Sequence, residues 1–418
     1  MTAPNPWTTD PELLALTRLV GMGLRGAAPW GHQGAAPCAV GQPNWIRLTT
    51  LALAHGTGGL VHRAIAQGQP VDMPGPLAQM LAQHAAAIAR RNGALLAELL
   101  RLRRVLDQAG VESIPLKGVW LNQRLYADPA ARVSRDIDFL VRPHAGTAAL
   151  HALASAGYAM QPMLPPRQFA AKARYAGQLL LHRHDAAFAI EPHWALAPQT
   201  LGLNLDHAGL WHRTRITSAD NGMGGTQTLP ILAPEDEFIM LCVHGFKEEW
   251  SRIKLIADLA QFIRVHPALD WNSVAQRVAA QNLRWIAGVA VLLVAAMFHV
   301  ETGCTETARR TPALAVLTGE LLSRLTAAAA TRMQVPLEPS IYAVSRTRLR
   351  MRERPQDRAR YIWRTIITPR EAHFRAIPLP DRLFRAYVGV KLLHDYALLP
   401  CWLLSKRLRR LIAARNRA

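Results

Sequence analysis

Asp136 and Asp138 stand two residues apart in the run Arg135-Asp136-Ile137-Asp138-Phe139-Leu140-Val141, and on a β-strand that spacing puts both carboxylates on one face. Two adjacent carboxylates repel, so their shared ionised state is favoured only when a cation sits between them. Hard oxygen donors of this kind suit Mg²⁺. Ile137, Phe139 and Val141 alternate with them and would face a core, holding the strand rigid. Alone, the spacing is common and ordinarily means a solvated strand face; the surrounding residues change that reading.

Upstream, Ile114-Pro115-Leu116-Lys117-Gly118 runs from an apolar strand through a glycine into a helix, which turns free backbone N–H groups and a helix N-terminus toward an anion. A triphosphate could rest there, with Lys117 adding a point charge, although a lysine in such a loop is ordinarily just exposed. Downstream, Ile190-Glu191-Pro192-His193-Trp194 supplies a further carboxylate on a second strand. Transfer through two metals needs ligands on the attacking and the leaving side. Glu191 could bridge a metal and act as base toward an acceptor hydroxyl. His193 shares the face of Glu191 and could orient it, or be a satisfied structural histidine.

Arg132 and Arg135, beside the carboxylates, could meet phosphate or pair with Asp128 or Asp136. His244, Lys247, Lys254 and Asp258 form another polar set. Lys254 and Asp258 are four apart on one helix, which suits an ordinary surface pair or one wall of a nucleotide cleft. His182 and His184 have a spacing that could suit a metal, but an exposed strand is the commoner outcome.

The elements that must position these residues read as helical, then α/β, then helical. Ala and Leu at helical spacing dominate residues 10–106, and a long helix at about 77–108 ends at Gly110. Strands are expected at 111–116 and 135–141 around a helix at 118–126, followed by a helix near 145–156 and paired strands at 179–182 and 187–193. The helical period returns at 234–244, 253–266, 272–281 and 285–300. The apolar run 285–298 is shorter than the roughly 20 residues that cross a bilayer, and it reads as a buried helix.

Half of the 418 residues are apolar and the formal net charge is +20, so the chain can bury a sizeable core. The charge is uneven: residues 344–418 hold 19 Lys/Arg against 5 Asp/Glu, a net of +14. Such a tail could be solvated, or could meet nucleic acid, an anionic membrane or an acidic partner. Within it, residues 388–404 are apolar enough to lie on a membrane or to pack on the body, with basic residues 406–410 directly after. Cys38, Cys242, Cys304 and Cys401 are far apart with no metal-ligand spacing, which points to reduced thiols in the cytoplasm. The first ten residues lack the features of a secretory signal.

Leu116-Lys117-Gly118, Tyr126, Arg132, Arg135-Asp136-Ile137-Asp138 and Glu191-Pro192-His193-Trp194 resemble a nucleotidyltransferase family of the DNA polymerase beta-like superfamily. The resemblance extends to Asn44-Trp45 with residues 52–56, to His244-Gly245 with Trp250 and Asp258, and to Thr368-Pro369 with Leu379-Pro380. It implies a nucleotidyltransferase fold in which Asp136, Asp138 and Glu191 hold Mg²⁺ and an NMP moves from an NTP to an acceptor. Lys117-Gly118 stands where the wider superfamily has Gly-Gly or Gly-Ser, and Glu191 where aspartate is commoner.

The expected fold is therefore α+β and rich in helix. It has a helical region at 1–110, a mixed-sheet nucleotidyltransferase core at 111–200, a helical domain at 201–343 and a basic tail at 344–418. Lys117, Gly118, Arg135, His193 and Lys254 would bind the nucleotide, with ATP the expected NTP and the acceptor a small molecule, sugar, peptide or protein. The reading is of a cytoplasmic, bacterial-type enzyme, with peripheral contact to the inner membrane through the basic tail. Two alternatives stand beside it: a non-catalytic binding or assembly module of the same fold, and a template-independent nucleic-acid nucleotidyltransferase. The core lacks the interleaved aromatic and basic residues that would favour nucleic acid.

Overall fold

The computed structural model describes residues 10–25, 43–68, 72–160, 163–184, 188–220, 226–330 and 343–398. In chain order, α1 (Pro11–Arg25), α2 (Trp45–Ala54), α3 (Gly58–Ala66) and α4 (Gly75–Gln108) lead to β1 (Ser113–Pro115), α5 (Gly118–Leu125) and β2 (Asp136–Val141). Then come α6 (Gly146–Ser155), α7 (Pro166–Ala176), β3 (Leu181–His182), β4 (Ala189–His193), α8 (His207–His212), β5 (Arg215–Asp220) and β6 (Thr226–Ile231). The rest is helical: α9 (Pro234–Lys247), α10 (Ile253–Val265), α11 (Trp271–Ala280), α12 (Arg284–Phe298), α13 (Thr305–Arg309), α14 (Pro312–Ala330), α15 (Arg346–Arg350), α16 (Pro355–Ile367), α17 (Glu371–Ala376) and α18 (Tyr387–Leu393). The fold is mixed α+β and predominantly helical, as expected.

The central sheet has the order β1-β2-β4-β3. β1 runs antiparallel to β2, β2 parallel to β4, and β3 antiparallel to β4. Its two faces follow from the period-2 pattern. Ile137, Phe139, Val141 and Ile190 are buried with Leu95, Leu99, Leu102 and Leu106 of α4 and Leu153 of α6. The 4-3-4 spacing of the α4 leucines makes one stripe along that helix, and each such side chain contributes roughly 1.5–3 kcal/mol on burial. Leu140, one residue out of phase, instead joins a second core built from α1, α2, α3, α9, α10, α12 and α14. Asp136, Asp138, Glu191 and His193 share the parity of Leu140 and so look toward the helical body.

The helix expected at 285–298 is α12, buried along nearly its whole length. No helix among the described residues is long and apolar enough to cross a membrane.

The structure departs from expectation in two places. Within the stretch expected to be helical, β5 and β6 form an antiparallel hairpin, and Leu229 and Ile231 carry it onto the α4 side of the sheet. Asn221-Gly222 between two β-prone runs was the available signal. Second, α7 fills a stretch to which the periodicity assigned no element; Pro165-Pro166 and Gly177 mark its two ends.

Of the outcomes left open for the tail, residues 343–398 take docking on the body. Arg348 is fully buried and its Nη2 donates to the Lys247 carbonyl at 2.6 Å. The Arg352 guanidinium lies 5.3 Å from the Phe246 ring centre and 4.3 Å from that of Tyr361, and the Phe374 and Tyr387 rings meet edge to face at 4.7 Å. Burial pushes the Arg352 guanidinium pKa down to about 10, and stacking on the two aromatic faces offsets part of that cost. Residues 399–418, including the basic cluster at 406–410, lie outside the described residues.

Candidate active site

Strand register assembles the acids. On the parallel pair β2 and β4, Asp138 is the partner of Glu191 and Leu140 that of His193, which sets Asp138, Glu191 and His193 side by side on the face turned to the helical body. His193 Nε2 lies 2.9 Å from Asp138 Oδ1 and 3.6 Å from Glu191 Oε2. Gln178 Nε2 donates to Glu191 Oε2 at 2.6 Å. Trp194, next along, donates its indole N–H to the Ala173 carbonyl at 2.9 Å and so ties the strand end to α7.

From the other side, the Leu116 N–H donates to the Asp138 carbonyl at 3.0 Å. That bond brings Lys117 over the acids, and its ammonium donates to Asp138 Oδ1 at 2.6 Å. Gly118 follows with φ +63°. A β-carbon there would fall 3.2 Å from the Asp136 carbonyl oxygen and 3.4 Å from Asp138 Oδ2, so both the left-handed backbone and the close approach ask for glycine.

The electrostatics follow from this packing. Burial works against ionisation of Asp138, but Lys117 and His193 outweigh it and hold its carboxyl far below the ordinary aspartate range. Asp136, without such partners, is pushed upward by burial and by the Asp138 charge. Burial likewise opposes the charge on Glu191, and the His193 bond and Lys117 leave its pKa lowered. His193 itself is raised: burial disfavours the cation, and the Asp138 and Glu191 carboxylates more than offset this.

A divalent metal fits this donor set. Asp138 Oδ2 is buried and has no hydrogen-bond partner, an expensive state for a carboxylate oxygen that a cation would relieve. Donor atoms of Asp138, Glu191 and His193 all lie within 4.8 Å of one another. Asp136 stands outside that group but lines the same cleft. His182 and His184 are exposed and belong to no such group among the described residues.

The facing wall comes from the end of α9 and the start of α10. His244, Lys247, Arg252 and Lys254 line the cleft there, opposite Lys117, Arg135, Asp136, Asp138 and Glu191. The empty space is about 820 Å³, its open mouth included. Lys254 makes no side-chain hydrogen bond or ion pair among the described residues, and its pKa is pushed down to about 8 by burial, then by Arg132, Arg252 and Arg135, with Asp258 opposing. His244 is held well below its ordinary value by burial and by Lys117, Lys247 and Lys254. It is therefore neutral near pH 7.

The expected partners of Arg132 and Asp258 are corrected. Arg132 is buried and binds neither Asp128 nor Asp136; its Nε lies 2.9 Å from both carboxylate oxygens of Asp258, and its Nη1 donates to the Gly118 carbonyl at 3.0 Å. Tyr126 adds its hydroxyl to Asp258 at 2.8 Å. Asp258 is thus committed to α5 and the loop before β2, and does not form the surface pair with Lys254. A buried guanidinium needs a buried carboxylate, and α10 supplies it.

The same loop is held from α4. Asn92 Nδ2 donates to the Pro129 and Arg132 carbonyls, each at 2.7 Å, and Arg91 Nη2 to the Arg135 carbonyl at 2.8 Å. At the start of α10, the Lys254 N–H donates to the His55 carbonyl at 3.3 Å, so the segment 52–56 buttresses the helix that carries Lys254.

Sequence reasoning missed Gln178, Ser134, Arg252 and Ser251 as cleft residues. Gln178 follows the C-terminal glycine of α7 and pairs across to His193 in an isolated bridge, so recognising α7 would have placed it. Nothing local marks Arg252.

A sequence model of a family described as an uncharacterised nucleotidyltransferase matches residues 41–299. That span is more than half of the chain and holds the sheet and both cleft walls. No curated protein matches the chain.

Proposed function

The chain belongs to the uncharacterised nucleotidyltransferase family, and from that membership we propose that it transfers an NMP from an NTP, with ATP the first choice, to an acceptor hydroxyl in a Mg²⁺-dependent reaction of the DNA polymerase beta-like kind. The observation that carries this reading is the register of Asp138 against Glu191 with Asp138 Oδ2 buried and unpartnered. Asp136, Asp138 and Glu191 would hold the metal, with His193 orienting Asp138 and Glu191. Bound there, Mg²⁺ would neutralise charge on the triphosphate and acidify the acceptor hydroxyl.

The chain's own groups do the rest. Lys117, Arg135 and Lys254, from opposite walls, fix the triphosphate, and Gly118 lets it approach the backbone at the start of α5. Glu191 takes the proton as the acceptor oxygen bonds to the α-phosphorus and the bond to pyrophosphate breaks. Positioning and fixed charge supply most of the acceleration. Among the described residues no Phe, Tyr or Trp lines the cleft to stack bases, which favours an acceptor of the small-molecule, sugar, peptide or protein class. Three clustered carboxylates favour turnover over a binding-only module.

Calorimetric titration of each NTP with Mg²⁺ into the wild type and into Asp136→Ala/Asp138→Ala tests this. Metal-dependent binding that disappears in the double variant supports it. A folded wild type that binds no NTP refutes it.

An anionic membrane surface is the proposed docking partner. Val388, Leu392, Leu393, Tyr396 and Leu398 form an exposed apolar row at the end of the described chain, beside exposed Arg382 and Arg385. Apolar side chains flanked by cations suit an anionic interface. Leu392→Glu/Leu393→Glu should abolish co-sedimentation with phosphatidylglycerol vesicles; wild-type protein that stays in the supernatant at low salt rules the surface out.

A further inference from the structure

Asp138 uses its two carboxylate oxygens differently. Oδ1 accepts from the Lys117 ammonium at 2.6 Å and lies 2.9 Å from His193 Nε2, while Oδ2 is buried with no partner. Lys117, beside His193, thus balances the Asp138 charge in the protein alone. A divalent ion on the same carboxylate would sit a few ångströms from that ammonium, and two cations at such a distance in a half-buried site repel strongly.

That repulsion favours withdrawal of one of the two, and the lysine can withdraw. Its backbone is fixed by the Leu116 bond to the Asp138 carbonyl and by Gly118, but its four-carbon stem is flexible and carries a compact charge. The same side chain lines the cleft opposite Lys254, where a triphosphate would lie. We infer that Lys117 is an exchangeable counter-ion: it holds Asp138 in the free protein, yields that carboxylate to the incoming metal, and moves onto the triphosphate, so that metal and nucleotide bind cooperatively through one side chain.

This inference rests on the metal-dependent reading above and goes beyond it, because it makes opposite predictions for the two ligands. Without Lys117 the metal has no competitor at Asp138, whereas the triphosphate loses a cation. Coupling of this kind is reciprocal.

The test uses the full chain and Mn²⁺ as probe, followed by calorimetry and by the electron paramagnetic resonance of free Mn²⁺. Lys117→Met should bind Mn²⁺ alone about tenfold more tightly than wild type. It should also lose most of the gain in Mn²⁺ affinity that a non-hydrolysable ATP analogue gives the wild type. Lys117→Arg keeps the charge and should not tighten Mn²⁺ binding. Lys117→Gln serves in place of the methionine variant if that one melts early. Mn²⁺ affinity that is unchanged or weaker in the neutral variants overturns the exchange while leaving the metal site standing. Absence of Mn²⁺ binding in both wild type and variants overturns the metal reading itself, and the exchange with it.

Discussion

Asp258 and Arg132 lie 126 positions apart in the chain, yet the Arg132 Nε sits 2.9 Å from both oxygens of the Asp258 carboxylate, and this buried pair joins the sheet to the helical body beside the cleft. Tyr126 completes it from α5. The charge of neither partner is free to serve a ligand, so their contribution to the site is to hold its two walls together.

Asp258→Ala would strand a buried guanidinium. Removing one partner of such a pair costs about 3–5 kcal/mol, and urea unfolding should show a loss of that size. Arg132→Met/Asp258→Leu, which removes both charges, should recover a good part of it. A single-variant loss under about 1 kcal/mol would mean that the pair carries little of the interface.

His193 touches both acids and is expected to orient them. Replacing a residue that orients metal ligands typically weakens metal affinity about 10–100-fold. His193→Gln should therefore reduce Mn²⁺ affinity by that factor while its melting temperature stays within a few degrees of wild type. Unchanged affinity would reduce His193 to a packing residue.

Lys254, with its pKa pushed down to about 8, gives the cleft a pH signature. Its ammonium is charged below that value and attracts a triphosphate; as the pH rises through it the charge is lost. Nucleotide affinity should fall by roughly tenfold above about pH 8. Lys254→Arg, charged throughout, should hold its affinity across the same range, and Lys254→Met should be weak at every pH. A flat wild-type profile across the alkaline range would take Lys254 out of nucleotide binding.

Gly118 has φ +63° and approaches both aspartates. Gly118→Ala should cost roughly 1–2 kcal/mol in backbone strain and displace the Asp138 carboxylate, seen together as a lower melting temperature and weaker Mn²⁺ binding. A variant that melts and binds as wild type does would show that the turn has room to spare.

Much of this was legible beforehand. The i, i+2 spacing of Asp136 and Asp138, alternating with Ile137, Phe139 and Val141, already contains the two faces of β2, because side-chain parity on a strand is a local property. The apolar run that became α12 and the stripe on α4 are equally local. The hairpin and α7 were missed for want of weighing the helix- and strand-breaking residues in the sequence, although Asn221-Gly222, Pro165-Pro166 and Gly177 were there to be read.

What the sequence by itself determined is which residues share a face and which segments want burial, since both are set by neighbours a few positions away. Which distant side chains meet was left to the tertiary structure. That Asp138 stands against Glu191, that Lys117 spends its charge on Asp138, and that Arg132 is answered by Asp258 126 positions away depend on strand register and on the burial of segments that are not neighbours in the chain. The docking of residues 343–398 was decided in the same way. A charged side chain reads the same in sequence whether it is solvated or buried; only the surface that arrives from elsewhere in the chain sets its partner, because desolvation obliges it to find one.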